Sequence, residues 1–164
     1  MKKMYSSLAV LAGIAMVATG AQAADITRLP LPPPSTFPIA RAVTVPAGFN
    51  IYFLSGGTAQ PPAPNAPLGD TQAQTVSVFE QMKVTLKELG LTFGDVVKMN
   101  VFLVADPKTG KMDFTGFMAG YTKYFGTKEQ PNLPARSAVQ VAGLAGAGAL
   151  VEIEVEAAKK PAKK

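Results

Sequence analysis

The chain contains no cysteine, no histidine and no tryptophan in its 164 residues. Without cysteine there is no disulfide, no thiolate nucleophile, no iron–sulfur cluster and no thiolate zinc site. Without histidine there is no Ser-His-Asp triad, no imidazole metal ligand and no side chain that ordinarily exchanges a proton near neutral pH. Charge is also sparse, at 16% of residues. Any catalysis must come from carboxylates, lysine, arginine, tyrosine, hydroxyls or backbone groups. A basic folded surface is missing too, although the sequence pI is about 9.5. Lys2, Lys3, Lys159, Lys160, Lys163 and Lys164 sit at the ends, and between them stand 10 Lys and Arg against 11 Asp and Glu. A nucleic-acid module carries its basic stripe on the folded body, so no nucleic-acid partner is expected. The lysine tail, 159–164, is read as a solubilising end.

At this length one domain is expected, burying about two-thirds of the surface its unfolded chain exposes. The first 23 residues read as a leader. Lys2 and Lys3 open it, residues 8–17 are apolar, and Ala21-Gln22-Ala23 is an Ala-x-Ala cleavage signal. The apolar run falls short of the roughly 20 residues of a membrane span, and no cysteine is available for lipidation. The mature chain is therefore expected to begin at Ala24, to be periplasmic or secreted, and to keep no transmembrane segment.

Residues 24–39, with LPLPPPSTFP at 29–38, are expected to form an extended arm without regular structure. Residues 42–45 and 50–55 are β-rich runs joined by Pro46-Ala47-Gly48, which predicts a hairpin or tight connection. Residues 58–69 hold Pro61, Pro62, Pro64 and Pro67 and form a long surface loop. Thr71-x-x-Gln74 has the capping-box pattern, and Val76, Phe79, Met82, Leu86 and Leu89 follow at helical spacing up to Gly90. Residues 96–104 predict a strand. Asp113 caps a second helix whose stripe is Phe114, Phe117, Met118, Tyr121 and Phe125, a stripe read as core. Two last strands, near 136–143 and 149–157, flank a Gly/Ala turn. Val151, Ile153 and Val155 alternate there with Glu152, Glu154 and Glu156. The order ββαβαββ predicts an α+β domain with two helices on one face of a mixed sheet. The other sheet face, read as carrying Ala138, Gln140 and Ala142 together with the carboxylates, predicts contact with a second copy.

The C-terminal block, Pro134-Ala135-Arg136-Ser137, then Val139-x-Val141-Ala142-x-Leu144, a Gly/Ala turn and Val151-Glu152-Ile153-Glu154, resembles the signature of the Rid family. These are reactive intermediate deaminases, also called YjgF or L-PSP proteins. The likeness runs back through Leu54-Ser55-Gly56 and Gly94-Asp95-Val96-Val97-Lys98 and covers residues 40–158. It implies a chorismate-mutase-like fold, a homotrimer and clefts between subunits. It also implies hydrolysis of reactive 2-imino and enamine acids to 2-keto acids and ammonia, with no metal and no cofactor. Arg136 would clamp the substrate carboxylate through its planar fork. Glu152 would orient the water and move its proton. Ser55, Ser137 and the backbone at Ala138 would supply polar groups beside the imine.

Four positions depart from the family pattern. Ala138 stands where many active members have cysteine, Met118 where an asparagine is frequent, and Gly57 where glutamine is usual. No tyrosine matches the one that closes the cleft; the region holds Phe37, Ile39, Ala40 and Arg41. These departures keep a second reading open, a non-catalytic trimer that binds a small carboxylic acid. A ribonuclease-like activity ranks third.

Overall fold

The computed structural model describes residues 25–162; the expected leader, 1–23, lies outside the described residues. Along the chain run β1 (Thr27–Pro30), β2 (Ala40–Thr44), β3 (Asn50–Thr58), α1 (Thr71–Glu88), β4 (Val96–Asp106), β5 (Lys111–Met112), α2 (Phe114–Tyr121), β6 (Ala135–Val141) and β7 (Val151–Lys159). The sheet order is β1-β2-β6-β4-β7-β3, with β5 added at the end of β4. β6 runs parallel to β2 and β4, and the other pairs are antiparallel. This is the expected ββαβαββ α+β fold with two short strands added.

The centre of the sheet follows from alternation. Val151, Ile153 and Val155 of β7 and Met99, Val101 and Leu103 of β4 are buried on the helix side. Glu152, Glu154 and Glu156 take the other face, as a period of two requires. Phe79, Met82 and Leu86 of α1 and Phe117 and Tyr121 of α2 close over that apolar side. Each such side chain, fully buried, stabilises the fold by roughly 1.5–3 kcal/mol.

Both helices start on aspartate. Asp113 accepts from the Gly116 N–H at 2.8 Å, as expected. The cap of α1 is Asp70, which accepts from the Ala73 N–H at 2.8 Å, and not the Thr71/Gln74 box. Gln74 is buried instead. Its amide donates to the carbonyls of Gly69 and Gly148, both at 3.1 Å, and accepts from the Leu150 N–H at 2.8 Å. A buried amide must be satisfied, and here it ties the loop before α1 to the loop between β6 and β7. The apolar stripe is shifted too: Val78 is buried in place of Val76, and Leu89 is exposed.

Three expectations about the sheet are corrected. Residues 46–48 do not close a hairpin between β2 and β3. β3 pairs with β7 at the far edge, while β2 pairs with β1 and touches β6 at one bridge, Ala40 beside Ala135. β2 has almost no apolar face to hold it on the sheet, since Arg41, Ala42 and Thr44 are all exposed. Nor is the arm wholly irregular, because β1 takes Leu29 and Pro30. Arg28 anchors it, donating to the carbonyls of Leu133 (2.8 Å), Val96 (2.9 Å) and Gly94 (3.0 Å). Burial pulls the Arg28 pKa below its ordinary value, and nearby Asp95 opposes this. Ala138 faces the helices, not the outer face, because the parallel register sets it beside buried Val101. The outer face instead shows Val139, and Phe53 of β3 at 78% exposure.

Candidate functional site

Register also decides where Arg136 points. It sits beside Met99, which is fully buried under the helices, so its side chain enters the same layer. The guanidinium carbon lies 4.3 Å from the ring centre of Tyr121 and 4.9 Å from that of Phe117. Phe37, in the segment between β1 and β2, and Phe114 complete the box at 5.4 and 5.8 Å. Rings at these distances attract a cation through their negative faces. They cannot accept the hydrogen bonds that a guanidinium's five N–H groups require. One nitrogen, Nη2, finds only the thioether of Met118, with Sδ at 3.3 Å. The other, Nη1, is buried with no hydrogen-bond partner.

Burial pulls the Arg136 pKa below its ordinary value, with Tyr121 opposing. Burial likewise pushes the Tyr121 phenol up to about 12, against the pull of Arg136. Its neutral hydroxyl donates to the Pro38 carbonyl at 2.9 Å and so pins the segment that carries Phe37. The arrangement is a desolvated cation with one hydrogen-bonding edge unmatched. A planar anion with two oxygens is the complement of such an edge.

The other expected residues lie elsewhere. Glu152 projects from β7 to the outer face, two strand spacings or about 10 Å across the sheet from β6. Gly56 makes room for it, because a Cβ there would collide with the Glu152 carboxylate. Among the described residues no side-chain hydrogen bond holds Glu152. Ser55 stands at the bulge between Leu54 and Gly57 that this approach requires. It lines an outer-face cavity of about 240 Å³ with Phe53, Lys98, Asn100, Glu154 and Glu156. There Asn100 donates to Glu154 at 2.9 Å, and Lys98 donates to Ser137 Oγ at 3.3 Å. Ala138 packs its methyl against the core behind Arg136.

One chain therefore brings Arg136 and Ala138 together on the helix side, and Ser55, Ser137 and Glu152 on the outer side. Sequence reasoning read Phe114, Phe117, Met118 and Tyr121 as core and gave Phe37 no role. The signal lay in the same stripe, since a helix face this aromatic beside a strand arginine is a ready cation box.

A mixed sheet under two helices, with an arginine from a late strand set among the aromatic residues of the second helix, defines a class of small α+β proteins. Comparison with known proteins narrows that class. The family model described as Endoribonuclease L-PSP matches residues 38–159, and the chain belongs to this family, the Rid/YjgF proteins. A RutC family protein of Haemophilus influenzae is 37% identical over 111 residues, 68% of this chain and 81% of its own. The 2-iminobutanoate/2-iminopropanoate deaminase of Salmonella typhimurium is 37% identical over 108 residues, 66% of this chain and 77% of its own. Among solved structures, yeast Mmf1 is 33% identical with a TM-score of 0.54, the match covering 82% of this chain and 99% of that one. The Rid-family protein YyfB of Yersinia pestis, at 24% identity, shares the fold with a TM-score of 0.64 over 82% of this chain and 98% of its own.

Proposed function

We propose that the protein hydrolyses reactive 2-imino acids to 2-keto acids and ammonium in a cleft shared between copies of the chain. Arg136 of one copy holds the substrate carboxylate, and Glu152 and Ser55 of another close over the imine. The observation that carries this reading is the buried Nη1 of Arg136 without a partner. In the reaction Glu152 takes a proton from water as its oxygen bonds to C2. Glu152 then passes that proton to the carbinolamine nitrogen. Ammonia leaves as the C–N bond breaks and the hydroxyl becomes the carbonyl, the hydroxyl proton going to ammonia to give ammonium. Iminium acid and water give keto acid and ammonium, with charge and atoms balanced.

The opposite facing of Arg136 and Glu152 is what calls for a second copy, and a homotrimer satisfies it with three equivalent contacts. The same facing supports the runner-up, a binder of a small carboxylic acid, since one chain gathers a carboxylate seat without a group to handle water. In either case residues 1–23 direct export and the ligand pool is periplasmic or extracellular. A mature N-terminus at Ala24 checks the export, and a retained Met1 refutes it.

The deciding assay follows loss of imines generated by an amino-acid oxidase. Under the deaminase reading Arg136→Ala abolishes the acceleration. Glu152→Gln lowers turnover by about 10²–10⁴-fold with binding largely kept, the range of general acid–base groups. No acceleration by the unaltered protein across a varied amino-acid panel would leave the binding reading in its place.

A further inference from the structure

Around the Arg136 guanidinium the aromatic box has a floor and a rim. Phe117 and Tyr121, both fully buried, make the floor. Phe37, at 39% exposure, and the half-buried Phe114 and Met118 make the rim. The rings of Phe37 and Phe114 stack, 6.2 Å apart and 20° from parallel. Near the floor the Tyr121 hydroxyl donates its proton to the Pro38 carbonyl and turns its oxygen toward Arg136. No second cation is placed against the guanidinium among the described residues.

A carboxylate that takes both Nη1 and Nη2 displaces the Met118 sulfur, a weak acceptor. The rest of the ligand then lies against phenyl rings and a thioether. An apolar substituent gains contact there, and sulfur adapts its position at little cost. Among the residues that one copy supplies around Arg136, a second charge would be desolvated without a partner.

We propose that this pocket, resting on the deaminase reading, selects 2-imino acids with branched or aromatic apolar side chains over the three- and four-carbon acids and over diacids, and that Phe37 and Met118 set this preference. Phe37 is the exposed part of the rim. It reaches the site from the segment between β1 and β2, which is held at Pro38 and by the stack on Phe114. Its partial exposure lets the ring turn outward without opening the core.

The 2-keto acids on the product side test this without turnover, because they keep the carboxylate and side chain and are stable. Calorimetric titration of the purified protein with pyruvate, 4-methyl-2-oxopentanoate and 2-oxoglutarate reads the preference directly. A single methylene in an apolar pocket is worth about 10–200-fold, so 4-methyl-2-oxopentanoate should bind at least about tenfold more tightly than pyruvate. The diacid should bind no better than pyruvate. Phe37→Ala and Met118→Ala should each shrink the first ratio, and Phe37→Leu should keep it.

Tightest binding of pyruvate or 2-oxoglutarate would overturn the inference. So would a ratio unmoved in both alanine variants. Binding of all three acids without discrimination removes this inference alone and leaves the carboxylate seat standing. Binding of none removes both.

Discussion

A guanidinium among four aromatic rings with one nitrogen unpaired works against the fold as well as for the ligand. The rings offset part of the penalty, about 0.5–2 kcal/mol for a desolvated cation–π contact. Burying an ion costs several kcal/mol even after relaxation. Burial therefore outweighs the rings, and the site is held at the expense of stability. Arg136→Met keeps the stem and removes the charge. Its expected result is a gain of about 1–2 kcal/mol, or a few degrees in Tm, with all affinity for 2-keto acids lost. Thermal melts beside the titrations check both, and a melting point well below that of the unaltered protein would show the opposite balance. The strands that carry Arg136 and Glu152 were legible in the sequence from their alternation, while the role given to each residue came from the family resemblance. The surroundings were not legible, because the neighbours of Arg136 come from residues 37 and 114–121, brought together only by folding.

Among the elements, β3 carries the clearest local device. Its bulge between Leu54 and Gly57 lets the strand absorb an extra residue and brings bare backbone against Glu152. Gly56→Ala should push the Glu152 carboxylate aside. The colliding atoms are the free end of a flexible side chain, so stability should stay within about 0.5 kcal/mol, as for a surface change. Turnover should fall by about tenfold or more, the penalty for a misplaced general base. Equal turnover with an unchanged urea midpoint would remove Glu152 from the reaction.

The strands β4 and β7 could be read from the sequence because alternation is local to each. The partner of β3 could not: nothing in residues 42–55 says that the second run crosses to β7 rather than folding back. Asp70 prevailed over Thr71 as the cap for a similar reason, because a distant demand, the loops at Gly69 and Gly148, took Gln74 into the interior.

For the molecule as a whole, the division of the site between two faces makes a prediction about mixtures. Arg136→Ala and Glu152→Gln variants, each inactive, should regain activity when co-expressed. With random assembly about a quarter of the shared sites would pair an intact arginine from one copy with an intact glutamate from its neighbour. Deaminase assays on the co-purified mixture check this, and no recovery would mean that the two residues do not meet between copies. The fold class was open to sequence reasoning because element order fixes it. The facing of the site was not, since it depends on the register Met99–Arg136 and Phe102–Glu152 between strands far apart in the chain.

The beginning and end of the domain also meet. Asp25 and Lys160 are joined at 2.6 Å, and Lys159 lies 3.9 Å from Asp95 beside them. These pairs are largely exposed and contribute little energy, but they locate both ends at one corner. The described chain thus starts and finishes at one corner, so a tether of a few residues between Asp25 and Lys160 would close it into a continuous loop of chain.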